Sequence, residues 1–201
     1  MAPVSTRAVL LRAHPYGETS RVLRFLTEDH GLLGVMAKGV RGQGGKGGTA
    51  LSTFASGVLT AYVRPNRDLH TMKDFACTHL RGGLGASVLR FAGASAVAEL
   101  VLAHAESDPN PVLFRAMEDA LDRLEDSPEE RTPTAALAGV WGIVEAFGFA
   151  PQLDACIRCG EALGPDEVGR FDLSAGGILC ARCAEGAAGP RVGPVACSPM
   201  T

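Results

Sequence analysis

The chain has 201 residues, of which 46% are hydrophobic, and its formal net charge is −3. A chain of this length buries roughly 70% of its unfolded surface, so it can form a core without a disulfide framework. The longest apolar stretch, residues 91–98, is far shorter than the ~20 residues of a membrane-spanning helix. Residues 8–11 are too short for the hydrophobic region of a signal peptide, and we therefore expect a soluble, cytoplasmic protein.

Charge is unevenly distributed along the sequence. Residues 1–80 contain ten Lys and Arg against five Asp and Glu, a net charge of +5. Residues 81–155 contain five against twelve, a net charge of −7. A basic module is suited to a polyanion, and an acidic neighbour favours solubility or a protein contact. Ordinary surface charge is the alternative explanation of the basic excess.

The first third of the chain has the pattern of short β-strands bounded by turn residues. Five segments have this pattern: Ser5–Arg12, Ser20–Thr27, Leu32–Lys38, Val58–Val63 and Leu69–Ala76. Five such strands predict a small closed barrel. Residues 28–31 would join the second and third strands as a hairpin, with Gly31 available for a positive φ.

A glycine-rich segment separates the third and fourth predicted strands. Six of the ten residues 39–48 are glycine, which predicts a mobile loop that carries Arg41 and Lys46. Residues 42–47 match the dinucleotide fingerprint by letter, but no helix pattern follows them. A phosphate-binding P-loop would need Ser or Thr after Lys46, where Gly47 stands. A nucleotide-using enzyme built on this loop therefore has little support.

The middle third changes to a helical period. A first apolar face comprises Leu84, Val88, Phe91, Val97, Leu100 and Val101. Asn110 is a predicted N-cap and Pro111 a first helical residue, and Thr132 with Pro133 repeats this start signal. The last predicted stripe comprises Leu137, Val140, Trp141, Val144 and Phe147. We expect a bundle of at least three helices with these stripes in its core.

Four cysteines near the C-terminal end have the spacing of a zinc ribbon. Cys156 and Cys159, then twenty residues, then Cys180 and Cys183 form two Cys-x2-Cys pairs. Gly160 permits the tight turn of the first knuckle, and the residues between the pairs would form a hairpin. Disulfides are the competing explanation, which a reducing compartment disfavours. Four thiolates would hold one structural Zn²⁺ and leave no open position for catalysis.

Other catalytic motifs fail at the level of spacing. The five histidines show no H-E-x-x-H pattern, and no serine or cysteine stands locally beside a histidine as a nucleophile would. Cys77 and Cys197 lie outside the ribbon spacing and have no predicted functional role. We expect no enzyme.

Two segments, residues 14–42 (HPYGETSRVLRFLTEDHGLLGVMAKGVRG) and residues 156–183 (CIRCG…FDLSAGGILCARC), resemble the RecO family of bacterial DNA repair proteins. The resemblance implies an α+β chain with an N-terminal OB-fold, a helical domain and a zinc-binding element. It also implies a nucleoid-associated recombination mediator that binds single- and double-stranded DNA and anneals complementary strands. Its implied partners are RecR, RecA and single-strand-binding protein. Family members usually continue into further helix beyond the position of Thr201.

We accordingly predict four parts: an OB-fold DNA-binding domain at 1–80, a helical domain at 81–150, a zinc ribbon at 151–188 and a Gly/Pro-rich tail at 189–201. An OB barrel binds nucleic acid through a basic groove and aromatic platforms. The candidate DNA-binding residues are Tyr16, Arg21, Arg24, Lys38, Arg41, Lys46, Arg64 and Arg67, with Tyr62 as a second stacking ring. For each cation the alternative is a solvated charge, and Tyr16 could instead pack on the barrel. The alternative function is a zinc-ribbon protein–protein adaptor without direct DNA contact.

Overall fold

The computed structural model describes residues 2–40, 51–64, 67–164 and 166–193. The chain divides into two units, Met1–Ile143 and Val144–Thr201. The first unit contains a β-barrel followed by helices, and the second contains a small three-stranded sheet. The predicted α+β class is confirmed.

Five strands close into the barrel that the sequence pattern predicts. They are β1 (Val4–Tyr16), β2 (Ser20–Thr27), β3 (Gly31–Ala37), β4 (Ser56–Tyr62) and β5 (Leu69–His79). The order around the barrel is β1-β2-β3-β5-β4. Strands β3 and β5 run parallel, and the other neighbours are antiparallel. This is the partly crossed, five-stranded topology of an OB-type barrel.

Strand β1 is longer than the sequence predicts. It continues to Tyr16, and its register shifts between Leu10 and Arg12. Beyond Val9 its ladder partner is β2 alone, because the pairing with β4 ends there. Pro15 is compatible with this half-paired strand, since the missing N–H is not needed on the unpaired side. The predicted hairpin turn is confirmed, with Gly31 at φ +58°.

Alternate residues of the strands fill the barrel. Its core includes Leu10, Leu23, Phe25, Val35, Leu59 and Phe75. The rings of Phe25 and Phe75 pack at 5.0 Å between centroids. Cys77 packs against the same core, in agreement with its interpretation as a small apolar residue. Burial of apolar area on this scale is the main force that closes the barrel.

The helices are α1 (Gly82–Gly85), α2 (Val88–His104), α3 (Pro111–Asp126) and α4 (Thr132–Ala146). The predicted start of α3 is confirmed: Asn110 accepts a hydrogen bond from the Leu113 N–H at 2.9 Å, and Pro111 is the first helical residue. Helix α4 begins at Thr132, but a 3₁₀ turn precedes it and the Thr132 hydroxyl donates to the Pro128 carbonyl. That hydroxyl therefore does not act as an N-cap.

Helix α4 packs through a different face from the predicted one. Its buried residues are Thr132, Gly139 and Ile143, whereas Leu137 is 61% and Trp141 37% exposed. A Cβ at Gly139 would lie 3.1 Å from side chains of α2 and α3, so the helix approaches its neighbours through small residues. The predicted core stripe is wrong at Leu137 and Trp141, because close helix approach favours glycine over bulky side chains, and its other members, Val140, Val144 and Phe147, are half-buried.

The predicted apolar face around α2 is also only partly correct. Leu84, Val97 and Val101 are buried, but Val88 is 86% and Phe91 45% exposed. Val88 is the first residue of α2, and its side chain lies before the packed part of the helix. The apolar periodicity predicted helix α2 correctly, but it predicted only part of its buried face.

The second unit contains the predicted hairpin between the cysteine pairs. Strands β6 (Gly169–Asp172) and β7 (Gly177–Leu179) are antiparallel, and β8 (Arg191–Val192), beyond residue 188, pairs with β6. The Asp172 carboxylate accepts hydrogen bonds from Ser174 and the Ala175 N–H at the hairpin turn. The hydrogen bond with the Ser174 hydroxyl is the main cause of a lowered pKa at Asp172. Within the described ranges, no helix is long and apolar enough to cross a membrane.

Candidate nucleic-acid interface and metal centre

The outer surface of β1 and β2 carries two of the predicted DNA-binding residues. Leu23 and Phe25 face the barrel core, so the alternation of a strand places Arg24 on the outside. Tyr16 pairs with Ser20 at the end of the same two strands and is 59% exposed. Tyr16 is therefore a ring available to a ligand and is not packed against the barrel.

Gly34 of β3 gives this surface its shape. The Arg24 side chain lies across it, with Nη1 3.7 Å from the position of a Gly34 Cβ. The carbonyl oxygen of Asp68 lies 2.7 Å from the same position, which brings the segment before β5 beside Arg24. Arg67 adjoins Asp68 in that segment. A side chain larger than that of glycine at position 34 would push the segment before β5 away from Arg24. We call Tyr16, Arg24, Lys38, Arg64 and Arg67 the outer basic surface.

Two members of this surface, Lys38 and Arg64, lie just outside the strands, and Arg21 lies elsewhere. Lys38 follows the last residue of β3, and Arg64 lies between β4 and β5, where its N–H donates to the imidazole of His70. Arg21 lies two residues before Leu23 on β2, so both side chains point to the same side of the strand. Arg21 lines a cleft at one end of the barrel. Arg41 and Lys46 lie outside the described residues.

Ion pairing separates the arginines of the barrel into two groups. Arg7 pairs with Glu28 at 3.6 Å and with Glu118 at 3.2 Å, and Arg12 pairs with Glu99. In contrast, no side-chain ion pair to any described carboxylate forms at Arg21, Arg24, Lys38, Arg64 or Arg67. A cation without an intramolecular partner keeps its full attraction for an external anion. The predicted cations, as far as they are described, are thus all unpaired, and Lys73 of β5 shares this property without having been predicted.

Sequence reasoning missed the residue that joins the barrel to the helices. The side chain of Arg81 is 1% exposed and lies 3.1 Å from Glu118 and 2.7 Å from Asp122. It also donates to the Phe54 carbonyl at 2.9 Å. Its partners come from residues 54 to 122, so no local pattern could have identified it. Arg81 has a structural role, since the carboxylates of Glu118 and Asp122 neutralise its charge.

The four predicted metal ligands converge in the second unit. The sulfur atoms of Cys156, Cys159, Cys180 and Cys183 all lie within 4.8 Å of one another. Each knuckle closes with a backbone turn: the Gly160 N–H donates to the Cys156 carbonyl oxygen at 2.8 Å, and the Ala184 N–H donates to the Cys180 carbonyl oxygen at 2.9 Å. Gly160 has a φ of +72°, as the tight turn requires. The geometry therefore confirms the cysteine cluster.

One sulfur–sulfur distance in this cluster matches that around a tetrahedral ion. Metal–sulfur bonds of ~2.3 Å at tetrahedral angles place sulfur atoms about 3.8 Å apart. The Cys159 and Cys180 sulfurs are 3.8 Å apart, which is too far for a disulfide. All five described cysteines, Cys77 included, are free thiols. The four residues could hold one metal ion.

The pKa values of two of these thiols are shifted in opposite directions. Burial opposes ionisation of Cys156, but backbone N–H groups, first that of Cys180, lower its pKa to about 6. The hydrogen bond with Cys180 raises the pKa of Cys183 to about 12, with burial as the next cause. A divalent ion removes this conflict because each thiolate then faces positive charge. The Arg158 guanidinium supports the second knuckle by donating to the Cys183 carbonyl at 2.7 Å.

Family models cover both units. The model described as Recombination protein O N terminal matches residues 1–81, and the model described as Recombination protein O C terminal matches residues 86–194. The chain belongs to the RecO family. The N-terminal match spans the barrel and its outer basic surface, and the C-terminal match spans the helices and the four cysteines.

Individual RecO relatives align along most of the chain. A DNA repair protein RecO of Anaeromyxobacter sp. (strain K) is 37% identical over 98% of this chain and 76% of its own length. That of Anaeromyxobacter dehalogenans (strain 2CP-1 / ATCC BAA-258) is 38% identical over 94% of this chain and 72% of its own. The RecO of Rubrobacter xylanophilus is 32% identical over 91% of this chain and 72% of its own length.

Proposed function

We propose that this protein is a mediator of recombinational DNA repair that binds single- and double-stranded DNA through its barrel. DNA repair is the role that the names of its RecO relatives give them. Annealing of complementary strands, and loading of RecA together with RecR, are the activities that we assign to it. RecR, RecA and single-strand-binding protein are its proposed protein partners.

The observation that carries this proposal is the outer basic surface. Arg24, Lys38, Arg64 and Arg67 have no carboxylate partner among the described residues, and Tyr16 supplies an exposed ring at the end of the β1–β2 ladder. Phosphate neutralisation provides most non-specific DNA affinity, and base stacking on aromatic rings adds to it without sequence preference. Neutralising two strands on one surface reduces their mutual repulsion, which would favour annealing.

The ribbon has a structural role in this proposal. One Zn²⁺ bound by Cys156, Cys159, Cys180 and Cys183 would complete a closed tetrahedral site. With no open coordination position, the ion would order the unit and would take no part in a reaction. The ribbon and helices would then offer surface to RecR.

The test is the salt dependence of binding to a fluorescent single strand, read by anisotropy. If about four cations contact phosphates, the logarithm of affinity should fall with the logarithm of salt at a slope of about −3. Replacing both Arg24 and Lys38 by Gln should reduce the magnitude of that slope by about 1.4, because each phosphate contact on a single strand contributes ~0.7.

The matched control changes two ion-paired arginines. Arg7→Gln/Arg12→Gln removes the same net charge, but from residues already paired with Glu28, Glu99 and Glu118. Its slope should stay close to the wild-type value. Equal effects of the two double variants would show that only net charge matters and would overturn the assigned surface. Weak, salt-insensitive binding by the wild type would favour a zinc-ribbon adaptor without DNA contact.

A further inference from the structure

A cleft opens at one end of the barrel, next to the outer basic surface. Its volume is about 670 Å³, within the ~300–1,000 Å³ range of ligand pockets. The residues that matter for its chemistry are Arg21, Thr53, Phe54, Leu80, Arg81 and Phe91. They come from β2, the segment before β4, the segment after β5 and α2. The whole cleft lies within the first unit.

The floor of the cleft is aromatic. Phe54 is 2% exposed and packs against Phe91 at 5.5 Å between ring centroids, with the planes tilted by 58°. Phe91 is 45% exposed, so its outer part is open to the cleft. Leu80, 43% exposed, extends this apolar wall. A flat apolar ligand would bury these surfaces.

The backbone around the cleft is strained. Phe54 has a φ of +71° and Arg81 a φ of +49°, and no other described residue except glycine has a positive φ. The two are joined by the hydrogen bond from the Arg81 guanidinium to the Phe54 carbonyl. Bulky residues rarely adopt a positive φ. Such backbone strain is concentrated at binding sites, where the surrounding fold maintains it. Both strained residues of the described chain thus line one cleft.

The polar groups of the cleft suit a base and its phosphate. Among the described residues that line the cleft none is acidic, and Arg81 is already neutralised by Glu118 and Asp122. Arg21 is therefore the cation available to a ligand. The Thr53 hydroxyl makes no hydrogen bond to any other described residue, so it is available to a base edge. Arg21 lies opposite Pro15, next to the exposed Tyr16, and roughly 10 Å along β2 from Arg24.

From this juxtaposition we propose that the cleft binds one unstacked nucleobase of a single DNA strand. The base lies against Phe91, Thr53 meets its edge, and Arg21 contacts the adjoining phosphate. The strand then continues over Tyr16 and Arg24 on the outer basic surface. This inference rests on the proposed DNA-binding function and gives it a second base contact, in addition to stacking on Tyr16.

The test compares two strands of equal charge. One is an oligothymidylate, and the other carries abasic residues at all its central positions, so that it keeps the phosphates and lacks the bases. Wild-type protein should bind the first at least about five-fold more tightly, the lower end of what one base–aromatic stack contributes. Phe91→Ala should lose about five-fold of this preference, leaving only what stacking on Tyr16 contributes, while its affinity for the abasic strand stays unchanged.

Two control variants distinguish loss of the aromatic ring from a general change in α2. Phe91→Leu retains apolar volume against Phe54 and lacks a ring, so it should fold and still lose the preference. Leu89→Ala alters a 48% exposed residue of the same helix that does not line the cleft, and it should keep the preference. Photocrosslinking of a 5-iodouracil strand should label the peptide that contains Phe91.

The outcomes separate the inference from the function on which it rests. If Phe91→Ala and Phe91→Leu retain the full preference, the base site is overturned, and a peptide segment becomes the better candidate occupant. Equal, salt-dependent affinity of wild type for both strands overturns the base site and still supports a phosphate-binding barrel. Failure to bind either strand overturns the proposed function itself.

Discussion

Arg81 illustrates how one buried charge fixes the position of a helix against the barrel. Its guanidinium lies between the Phe54 carbonyl, Glu118 and Asp122, and its side chain is nearly inaccessible to water. A buried charge is tolerated only when it is paired and hydrogen-bonded, and removal of one partner leaves the others desolvated. The stability of the barrel–helix junction therefore depends on this residue.

We expect Arg81→Met to lower the free energy of unfolding by about 3 kcal/mol, because Glu118 and the Phe54 carbonyl lose their buried partner. The measurement is urea denaturation followed by circular dichroism. The control, Arg12→Met, breaks the exposed pair with Glu99 and should cost less than about 1 kcal/mol. Similar losses in both variants would contradict a special role for burial.

His70 should make stability sensitive to mild acid. It is 7% exposed, its Nδ1 accepts from the Arg64 N–H at 3.2 Å, and burial lowers its pKa against the opposing effect of Asp68. The unfolded chain takes up a proton near its ordinary pKa of 6.5, while folded His70 stays neutral to lower pH. Because the unfolded state then binds more protons, stability should decrease as pH falls below that value.

The measurement is the urea midpoint at several pH values between about 7.5 and 5.5. His70→Gln keeps an acceptor for Arg64 without a titrating ring, so its midpoint should decline less with acid than that of the wild type. His14→Gln, at an exposed position, should decline as the wild type does. If His70→Gln declines as steeply as the wild type, His70 is not the source of the acid sensitivity.

At the scale of elements, two glycines of α4 should respond in opposite ways to substitution. A Cβ at Gly139 would lie 3.1 Å from Ala120 and Val97, whereas Gly142 has open space around it. Gly139→Leu should destabilise by about 1–3 kcal/mol through overpacking. Gly142→Ala should stabilise by about 0.5–1 kcal/mol through helix propensity. Thermal denaturation would show the opposite shifts, and a loss in both variants would contradict the assigned packing face.

Local patterns predicted the elements better than their contacts. Strand alternation, the Gly31 turn, the Asn110 cap and the cysteine spacing depend on neighbouring residues, and the structure confirms each of them. The packing face of α4 depends on which side chains α2 and α3 present to it. The periodic Leu137–Trp141 stripe could not reveal this, and the small residue Gly139 was the relevant one.

The cleft was invisible in the sequence for a related reason. Its walls combine residues from β2 to α2 that are separated by up to about seventy positions, and its strained residues follow no motif. Arg81 looked like one charge among many, because its burial arises only when α3 docks. Long-range assembly thus created the two features that composition and spacing could not show.

At the scale of the whole molecule, metal removal should affect one unit and spare the other. We expect Cys180→Ser to lose the ion and to abolish amide-exchange protection in β6 and β7, since structural zinc contributes on the order of 10 kcal/mol of apparent folding free energy in zinc-finger peptides. The barrel strands, which belong to the other unit, should keep their protection.

The control for this prediction is Cys77→Ser, which changes a cysteine of the barrel unit. It should retain one equivalent of zinc by elemental analysis, because Cys77 is not among the four clustered thiols. Retention of stoichiometric zinc by Cys180→Ser, or a loss of barrel protection that parallels the ribbon, would contradict the prediction.

The pairing of β1 with β4 has a consequence for how the chain folds during synthesis. Val4 pairs with Ala61, and β5 must enter between β3 and β4 before the barrel is complete. Contacts of such long sequence separation form slowly, because the entropy of loop closure is lost before the pairing is gained. The first strand must therefore wait, apolar and incompletely paired, until Tyr62 has left the ribosome, and β3 and β4 must wait for their partner β5 until His79 has done so. We expect the barrel to be the slow and aggregation-prone step of folding, and the ribbon, whose strands are close neighbours, to form quickly once its ion is bound.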